Sequence, residues 1–324
     1  LKVNILQTIK INNANIRFAH VKATVIKSTG SNITVRDDAG EIYLCKIKGN
    51  FRIRDIEATN PVAVGDVVDV ELRDHTHFIT CVHERKNYII RKSVKLSKQV
   101  QILAANIDTA YVIATLVLPR TSTGFIDRFL ATAEAYNIKA GIILNKIDLL
   151  EKDLLEEAKE LRELYTLLGY KVFLVSAFNA NDMKLLGDEI TGKVNLFSGH
   201  SGVGKSTLIN ALIPGLDLKT GQISLQHSTG KHTTTFAEMH ALSMGGYIID
   251  SPGIREFGIF DFDKYNVSHY FPEMFKLLPQ CRYNNCTHTT ENGCAVIKAL
   301  EQGDIAESRY RNYVSILNNE DFYK

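Results

Sequence analysis

The sequence has no apolar run long enough to cross a bilayer; the longest, Ala110–Pro119, falls well short of the ~20 residues a spanning helix needs. It does not open on a basic segment followed by an apolar one, so no secretory leader is expected, and the expected setting is cytoplasmic with no membrane partner. It has no strong excess of either charge. With 38 Lys and Arg against 36 Asp and Glu, the net charge is +2, so any nucleic-acid surface must be local. Cysteine is sparse, at five residues, and in that setting metal ligands or buried thiols are expected rather than disulfides. Repeats and low-complexity tracts are also missing. What remains is 324 residues of ordinary globular composition, 45% hydrophobic and 23% charged, enough for two or three domains.

The stretch that organises the rest is Val194–Ala211. An apolar run, Val194, Leu196 and Phe197, leads into Gly199-His200-Ser201-Gly202-Val203-Gly204-Lys205-Ser206-Thr207, and a helical pattern follows through Leu208, Ile209, Ala211 and Leu212. Strand, glycine loop and helix form the context a phosphate-binding P-loop requires. Glycines let the backbone curl so that its N–H groups, with the positive end of the following helix, surround a polyphosphate. Lys205 is placed to reach the β- and γ-phosphates, and Ser206 to offer its hydroxyl to Mg²⁺.

Residues 1–19 show no continuous period and are set aside as an extension. From His20 to Ser93 the reading is β. Ala23–Lys27, Ile33–Arg36, Glu41–Lys48, Val67–Leu72 and Phe78–His83 are short β-branched runs separated by turn residues, which suits a small OB-like β-barrel. Such barrels often bind oligonucleotides; a purely structural module is the alternative. Residues Glu84–Lys98 then hold Arg85, Lys86, Arg91, Lys92, Lys95 and Lys98 against Glu84 alone, a local charge of +5 with Tyr88 interleaved. This is the best candidate RNA stripe, against the alternative of a solvated face.

From Gln99 the pattern becomes α/β. Thr109–Val117 reads as a strand buried on both faces, Phe125–Tyr136 as a helix and Ala140–Leu144 as a strand. Asn145-Lys146-Ile147-Asp148 follows, then a helix over Asp153–Leu168 and a strand over Lys171–Val175 that ends in Ser176-Ala177. The Asp148 carboxylate can accept from both N1–H and the N2 amine of guanine, while adenine would leave it unpaired. Asn145 can brace the loop and contact the base, the Lys146 stem can cover one base face, and Ser176-Ala177 can offer backbone N–H groups to O6.

Downstream lie His232 and Thr233-Thr234-Thr235, then a strand, Tyr247–Ile249, ending in Asp250-Ser251-Pro252-Gly253. Asp250 is expected in the Mg²⁺ shell, the Gly253 N–H at the γ-phosphate, and Thr234 or Thr235 over the metal. The two loops would be ordered by the γ-phosphate and released after hydrolysis. The tail holds Cys281, Cys286, His288 and Cys294, a Cys₃His set able to close on Zn²⁺; by spacing alone, buried thiols with an exposed His stay open as the alternative. Helices are expected near Ala295–Gln302 and Ala306–Leu317, with Arg282, Lys298, Arg309 and Arg311 nearby.

The guanine-selecting segments precede the P-loop, the reverse of the Ras-like order, which marks a circular permutation. This order, the Gly-His-Ser-Gly-Val-Gly-Lys-Ser-Thr loop, the Lys-His-Thr-Thr-Thr segment, Asp-Ser-Pro-Gly-Ile, the barrel and the cysteine cluster resemble the ribosome small-subunit-dependent GTPase A family (RsgA, also known as YjeQ). Ser251, where Thr is commoner, and residues 1–19 depart from the pattern. The resemblance implies a barrel over 20–95, a circularly permuted GTPase domain over 96–265 and a helical lobe over 266–324 with one structural zinc. It implies GTP hydrolysis in late maturation of the 30S subunit, with 16S rRNA as docking surface and the protein a monomer. Ile254 stands where Ras-like enzymes carry a water-orienting Gln, so a slow intrinsic rate is expected, with His232 the nearest candidate for a substitute and a solvent-facing loop His the alternative. A metabolic phosphotransferase and a nucleic-acid-binding module with an inert nucleotide site are the rival readings; the first lacks a second-substrate motif and the second is at odds with the complete set of phosphate and Mg²⁺ residues.

Overall fold

The computed structural model describes residues 20–29, 32–47, 61–92, 100–219, 237–251 and 263–318. β1 (His20–Thr29), β2 (Asn32–Asp37), β3 (Ile42–Ile47), β4 (Val67–Arg73) and β5 (Thr76–Val82) alternate inward apolar and outward polar residues. The inward set, including Val25, Ile33, Val35, Cys45, Val68, Val70 and Ile79, forms one core. β1 pairs with β2 and β4, β3 with β2 and β5, and β4 with β5, so the five strands close on themselves. Closure leaves few unpaired edges.

The cationic stripe expected after the barrel is not a single surface. Arg85 points inward, 6% exposed, and grips Asp66 through Nε at 2.6 Å and Nη2 at 2.7 Å. Lys86 is paired with Asp108. The stretch also contains a hairpin that was not expected, β6 (Tyr88–Lys92) against β7 (Val100–Ala105), where Ile89, Ile90 and Ile102 are buried. Lys95 and Lys98 lie outside the described residues.

The α/β part follows as β8 (Thr109–Ala114), α1 (Thr123–Ala135), β9 (Lys139–Leu144), α2 (Lys152–Leu167), β10 (Lys171–Leu174), α3 (Ala180–Ile190), β11 (Val194–Gly199), α4 (Lys205–Leu212), β12 (Glu238–Ala241) and β13 (Tyr247–Asp250). Its strands order as β10-β9-β8-β11-β13-β12, and only β12 is antiparallel to its neighbour. β11 is therefore central, and its carboxyl end carries the P-loop. Beyond β12 the sheet continues into β1 of the barrel.

β8 stops at Ala114, short of the expected Val117. The Thr121 hydroxyl takes the Thr115 N–H at 3.1 Å, and the Thr121 N–H reaches the Thr115 carbonyl at 2.7 Å, which pinches off the loop between them. Ser122 then caps α1 by accepting from Phe125 N. Phe125, Ile126, Phe129 and Leu130 face the sheet core, each burial worth roughly 1.5–3 kcal/mol. The opposite side of α1 is also covered, because Ala131 belongs to the core of the C-terminal lobe. That lobe holds α5 (Pro272–Phe275), α6 (Ala295–Glu301) and α7 (Glu307–Leu317), packed around Phe271, Met274, Val296 and Tyr313. No helix among the described residues is long and apolar enough to cross a membrane.

Candidate nucleotide site and metal centre

Three strand ends meet at the phosphate loop. Gly199 closes β11 where a Cβ would lie 2.5 Å from the Ile113 carbonyl oxygen, so only glycine lets β11 and β8 approach this closely. Gly204 has φ +88°, and a Cβ there would lie 2.4 Å from Asn145 Nδ2. The gap that Gly204 leaves is thus filled by Asn145, the first residue of the segment in which guanine selection is expected. Asn145 donates to the Val203 carbonyl at 2.9 Å, and Lys146, in the left-handed region at φ 64°, donates to Gly202 O at 2.7 Å and Leu118 O at 2.5 Å. Two motifs far apart in sequence are thereby fastened together. Burial of the Lys146 ammonium pushes its pKa down, against the pull of Asp148.

The Ser176-Ala177 turn lies beside them, tied by Ile147 N donating to Val175 O at 3.3 Å. The expectation that this turn offers several N–H groups to the base needs narrowing. Ser176 N already donates to Asp182 Oδ2 at 2.9 Å, and the Ala177 N–H has no protein partner among the described residues. Asp148 is exposed at the start of a short 3₁₀ turn, Ile147–Leu149. Asn145 Oδ1 is buried without a hydrogen-bond partner. An orphaned acceptor, a free N–H, an exposed carboxylate and a glycine cradle are donors and acceptors in keeping with guanosine phosphates.

Lys205 and Ser206 sit in the first turn of α4, with Thr207 behind them. Lys205 Nζ pairs with Asp250 at the end of β13 and also donates to Ser251 O. Ser251 is buried; its hydroxyl donates to Phe197 O at 3.1 Å and lies 3.1 Å from Ser198 Oγ, a role any β-hydroxyl can fill, which explains Ser in place of the commoner Thr. The His200 ring stacks on Phe125 of α1 with centroids 3.8 Å apart. His232, Thr234, Thr235 and Gly253 lie outside the described residues.

In the C-terminal lobe, one ligand atom from each of Cys281, Cys286, His288 and Cys294 lies within 4.8 Å of the others. His288 turns Nδ1 toward the thiols, 3.3 Å from Cys294 Sγ and 3.7 Å from Cys281 Sγ. The loop is held from outside. Tyr310 and Tyr313 donate to the carbonyls of His288 and Thr287, each at 2.7 Å, and Glu291 accepts from the N–H groups of Thr287, Thr289 and Thr290. Burial and the neighbouring Cys294 push the Cys286 thiol up to about 12, and burial pushes His288 down. Three soft sulfurs and one imidazole converging on a point are compatible with a tetrahedral Zn²⁺.

Several partners were not read from the sequence. Phe125, Asp182 and the Leu118 carbonyl have no motif of their own. α3 could have been found from Met183, Leu186 and Ile190, which repeat at helical spacing.

Comparison with known proteins gives the following. The RsgA GTPase family model matches residues 82–260, and the RsgA N-terminal domain model matches residues 22–78. A small ribosomal subunit biogenesis GTPase RsgA from Bacteroides fragilis is 52% identical over 302 residues, covering 93% of this chain and 97% of its own. One of the same name from Flavobacterium johnsoniae is 51% identical and covers 92% and 93%. Among solved structures, YjeQ from Thermotoga maritima superposes with TM-score 0.76 at 34% identity, over 93% of this chain and 98% of that one. YloQ, described as a circularly permuted GTPase, shares the fold with TM-score 0.72 at 24% identity, over 94% and 97%.

Proposed function

The chain belongs to the RsgA family of GTPases, and from that premise we propose that it hydrolyses GTP to GDP and phosphate on the maturing small ribosomal subunit. The observation that carries this reading is the fastening of Asn145 and Lys146 onto the P-loop carbonyls of Val203 and Gly202, which builds base recognition and phosphate binding into one rigid corner.

In this reading Asp148 accepts from the guanine edge and Ala177 N–H donates to O6. Residues Gly199 to Thr207 surround the phosphates, with Lys205 moving from Asp250 to the β- and γ-phosphates. Mg²⁺, held by Ser206, Asp250 and Thr234 or Thr235, would supply charge neutralisation at the phosphates. The Gly253 N–H contacts the γ-phosphate. His232 orients the attacking water, since Ile254 has no group to do so. Cys281, Cys286, His288 and Cys294 would hold one Zn²⁺, which would stiffen the lobe and, with four protein ligands, serve structure and not chemistry. The docking partner is 16S rRNA, the working form is a monomer, and the compartment that goes with that partner is the cytoplasm. The units proposed, 20–95, 96–265 and 266–324, place their first border inside the β6–β7 hairpin.

The test compares GTP turnover with and without 30S subunits in the unaltered protein and in His232→Ala, with GTP affinity measured in both. A stimulation of ~10³-fold or more that His232→Ala largely loses is the expected result. Equal stimulation in both proteins removes His232 from the reaction, and none in the unaltered protein removes the ribosome.

A further inference from the structure

The barrel and the nucleotide site share one sheet, and the place where they join lies in line with the phosphate lysine. β1 is longer than a five-stranded barrel needs. Its first half pairs with β4 up to Thr24↔Val67, and its second half leaves β4 while staying on β2. A register shift between Val25 and Lys27 accompanies the departure. The edge so released is taken by β12, with Lys27 opposite Glu238, and Ile26 packs on the core that includes Ala237 and Met239.

The next register pairs continue the line. Glu238 lies opposite Asp250 across β12 and β13, and Asp250 opposite Phe197 in β11. Lys27 Nζ lies 3.2 Å from both Glu238 carboxylate oxygens, and Lys205 Nζ is paired with Asp250. Directly opposite residues share a face of the sheet, so Lys27, Glu238 and Asp250 form a row, and Lys205 of α4 extends it through its ion pair with Asp250. Two carboxylates stand side by side within it, and each is neutralised from its outer side by one lysine. Like charges in that position repel, and each lysine offsets the repulsion.

We propose that this row makes Lys27 and Glu238 positioning residues through which the barrel senses whether Lys205 is on Asp250 or on a nucleotide. The proposal rests on the GTPase reading and adds a route by which the two parts affect each other. When Lys205 is drawn to phosphate, Asp250 exchanges the ammonium for the Mg²⁺ shell, so the charge it presents to Glu238 changes. The hold of Glu238 on Lys27 changes with it, and the β1–β12 joint shifts accordingly. By linkage, a partner that moves β1 changes nucleotide binding by the same factor that nucleotide changes the partner's binding. The Lys27–Glu238 pair is half exposed and contributes little stability alone, so its role lies in its place in the row.

The experiment is amide hydrogen exchange on the full-length chain, compared between the nucleotide-free state and the state loaded with Mg²⁺ and GDP or a non-hydrolysable GTP analogue. Nucleotide occupancy is measured separately. In the unaltered protein, exchange of the β1 amides over residues 25–29 is expected to differ between the two states by about fivefold, the lower end for coupled sites. Glu238→Gln, which keeps shape and removes the charge, and Lys27→Glu should each abolish the difference, and Lys27→Arg should retain it. Equal exchange in the empty and the fully loaded state overturns the row and leaves the GTPase reading intact. A difference that survives in Glu238→Gln also overturns it. Failure of the unaltered chain to bind either nucleotide overturns the GTPase reading and this proposal with it.

Discussion

Arg309 in α7 donates from Nη1 to Oδ1 of Asp127 in α1 at 2.6 Å, across 182 residues of sequence, with both side chains almost wholly removed from solvent. Burial opposes charge at both, yet Asp127 also accepts from Tyr165 at 2.7 Å and from Asn312 at 2.6 Å, and Glu273 holds the other side of Arg309. The guanidinium is thereby kept firmly charged by Asp127 and Glu273 despite burial. Arg309→Ala should cost about 3–5 kcal/mol in urea unfolding, because it leaves Asp127 buried and unneutralised. A loss under about 1 kcal/mol would mean the pair does not fasten the lobe to α1.

Glu291 gives the lobe a pH dependence. Burial works against its charge, but donors from Thr287 and Thr289 outweigh that and hold its carboxyl down at about 2, from an ordinary 4.5. A carboxyl depressed on folding stabilises the fold above its unfolded pKa, and the contribution is lost as pH falls through the folded one. Glu291→Gln should therefore be less stable than the unaltered chain above pH ~4.5, with the gap closing toward pH ~2. Thermal melts across that range check it, and a gap that stays constant with pH would show the carboxylate charge to be irrelevant.

Base choice should rest on Asp148. Asp148→Asn presents an amide donor to the N2 amine, so GTP affinity should fall by ~100-fold or more. Xanthosine triphosphate, with a carbonyl in that place, should bind in its stead. Titration of both nucleotides against both proteins decides the matter; a variant that keeps GTP and rejects the xanthine analogue disproves the assignment.

Gly204→Ala tests the fastening of the two motifs. The new methyl would need the space of Asn145 Nδ2 at 2.4 Å and a φ of +88° that costs about 1–2 kcal/mol for an L residue. GTP affinity should drop at least tenfold while the barrel and lobe keep their melting behaviour. Unchanged affinity would show that the Asn145 contact is dispensable.

Cys286→Ala should reduce bound zinc well below one per chain by elemental analysis and make the region after Phe271 sensitive to protease. GTP binding should largely survive, since the P-loop shares no ligand with the cluster. A protein that folds normally under strong chelator and contains no metal would refute the zinc assignment.

The segments that meet at the proposed site could be picked out in the sequence because each is local: Gly199 to Ser206 and Asn145 to Asp148 are short motifs, and the structure fastens one to the other. The barrel was legible through its short β-branched runs and the turn residues between them, as at Ile33–Arg36. The hairpin of β6 and β7 was not, because Arg91, Lys92, Lys95 and Lys98 disguised it as a solvated charge run, and Arg85 is inside only because Asp66 waits there. Asp127 was invisible for the same reason: a lone acid in an apolar helix has no meaning until a partner 182 residues away supplies the counter-charge. The Lys27–Glu238 joint, 211 residues apart, belongs to the same class of long-range fact.

The permutation also sets an order of birth. β8, β9 and β10, with the turns proposed to select guanine, are synthesised before β11, although β11 is the strand that sits beside β8 in the finished sheet. During translation the base-recognition half therefore waits with β8 open along one side. The glycine loop arrives as the wedge that closes it, and the partner strands β12 and β13 come after. On the proposed assignment, a nascent chain halted before Val194 would carry the segments for guanine without those for its phosphates, so nucleotide would aid folding only once the centre of the sheet has emerged.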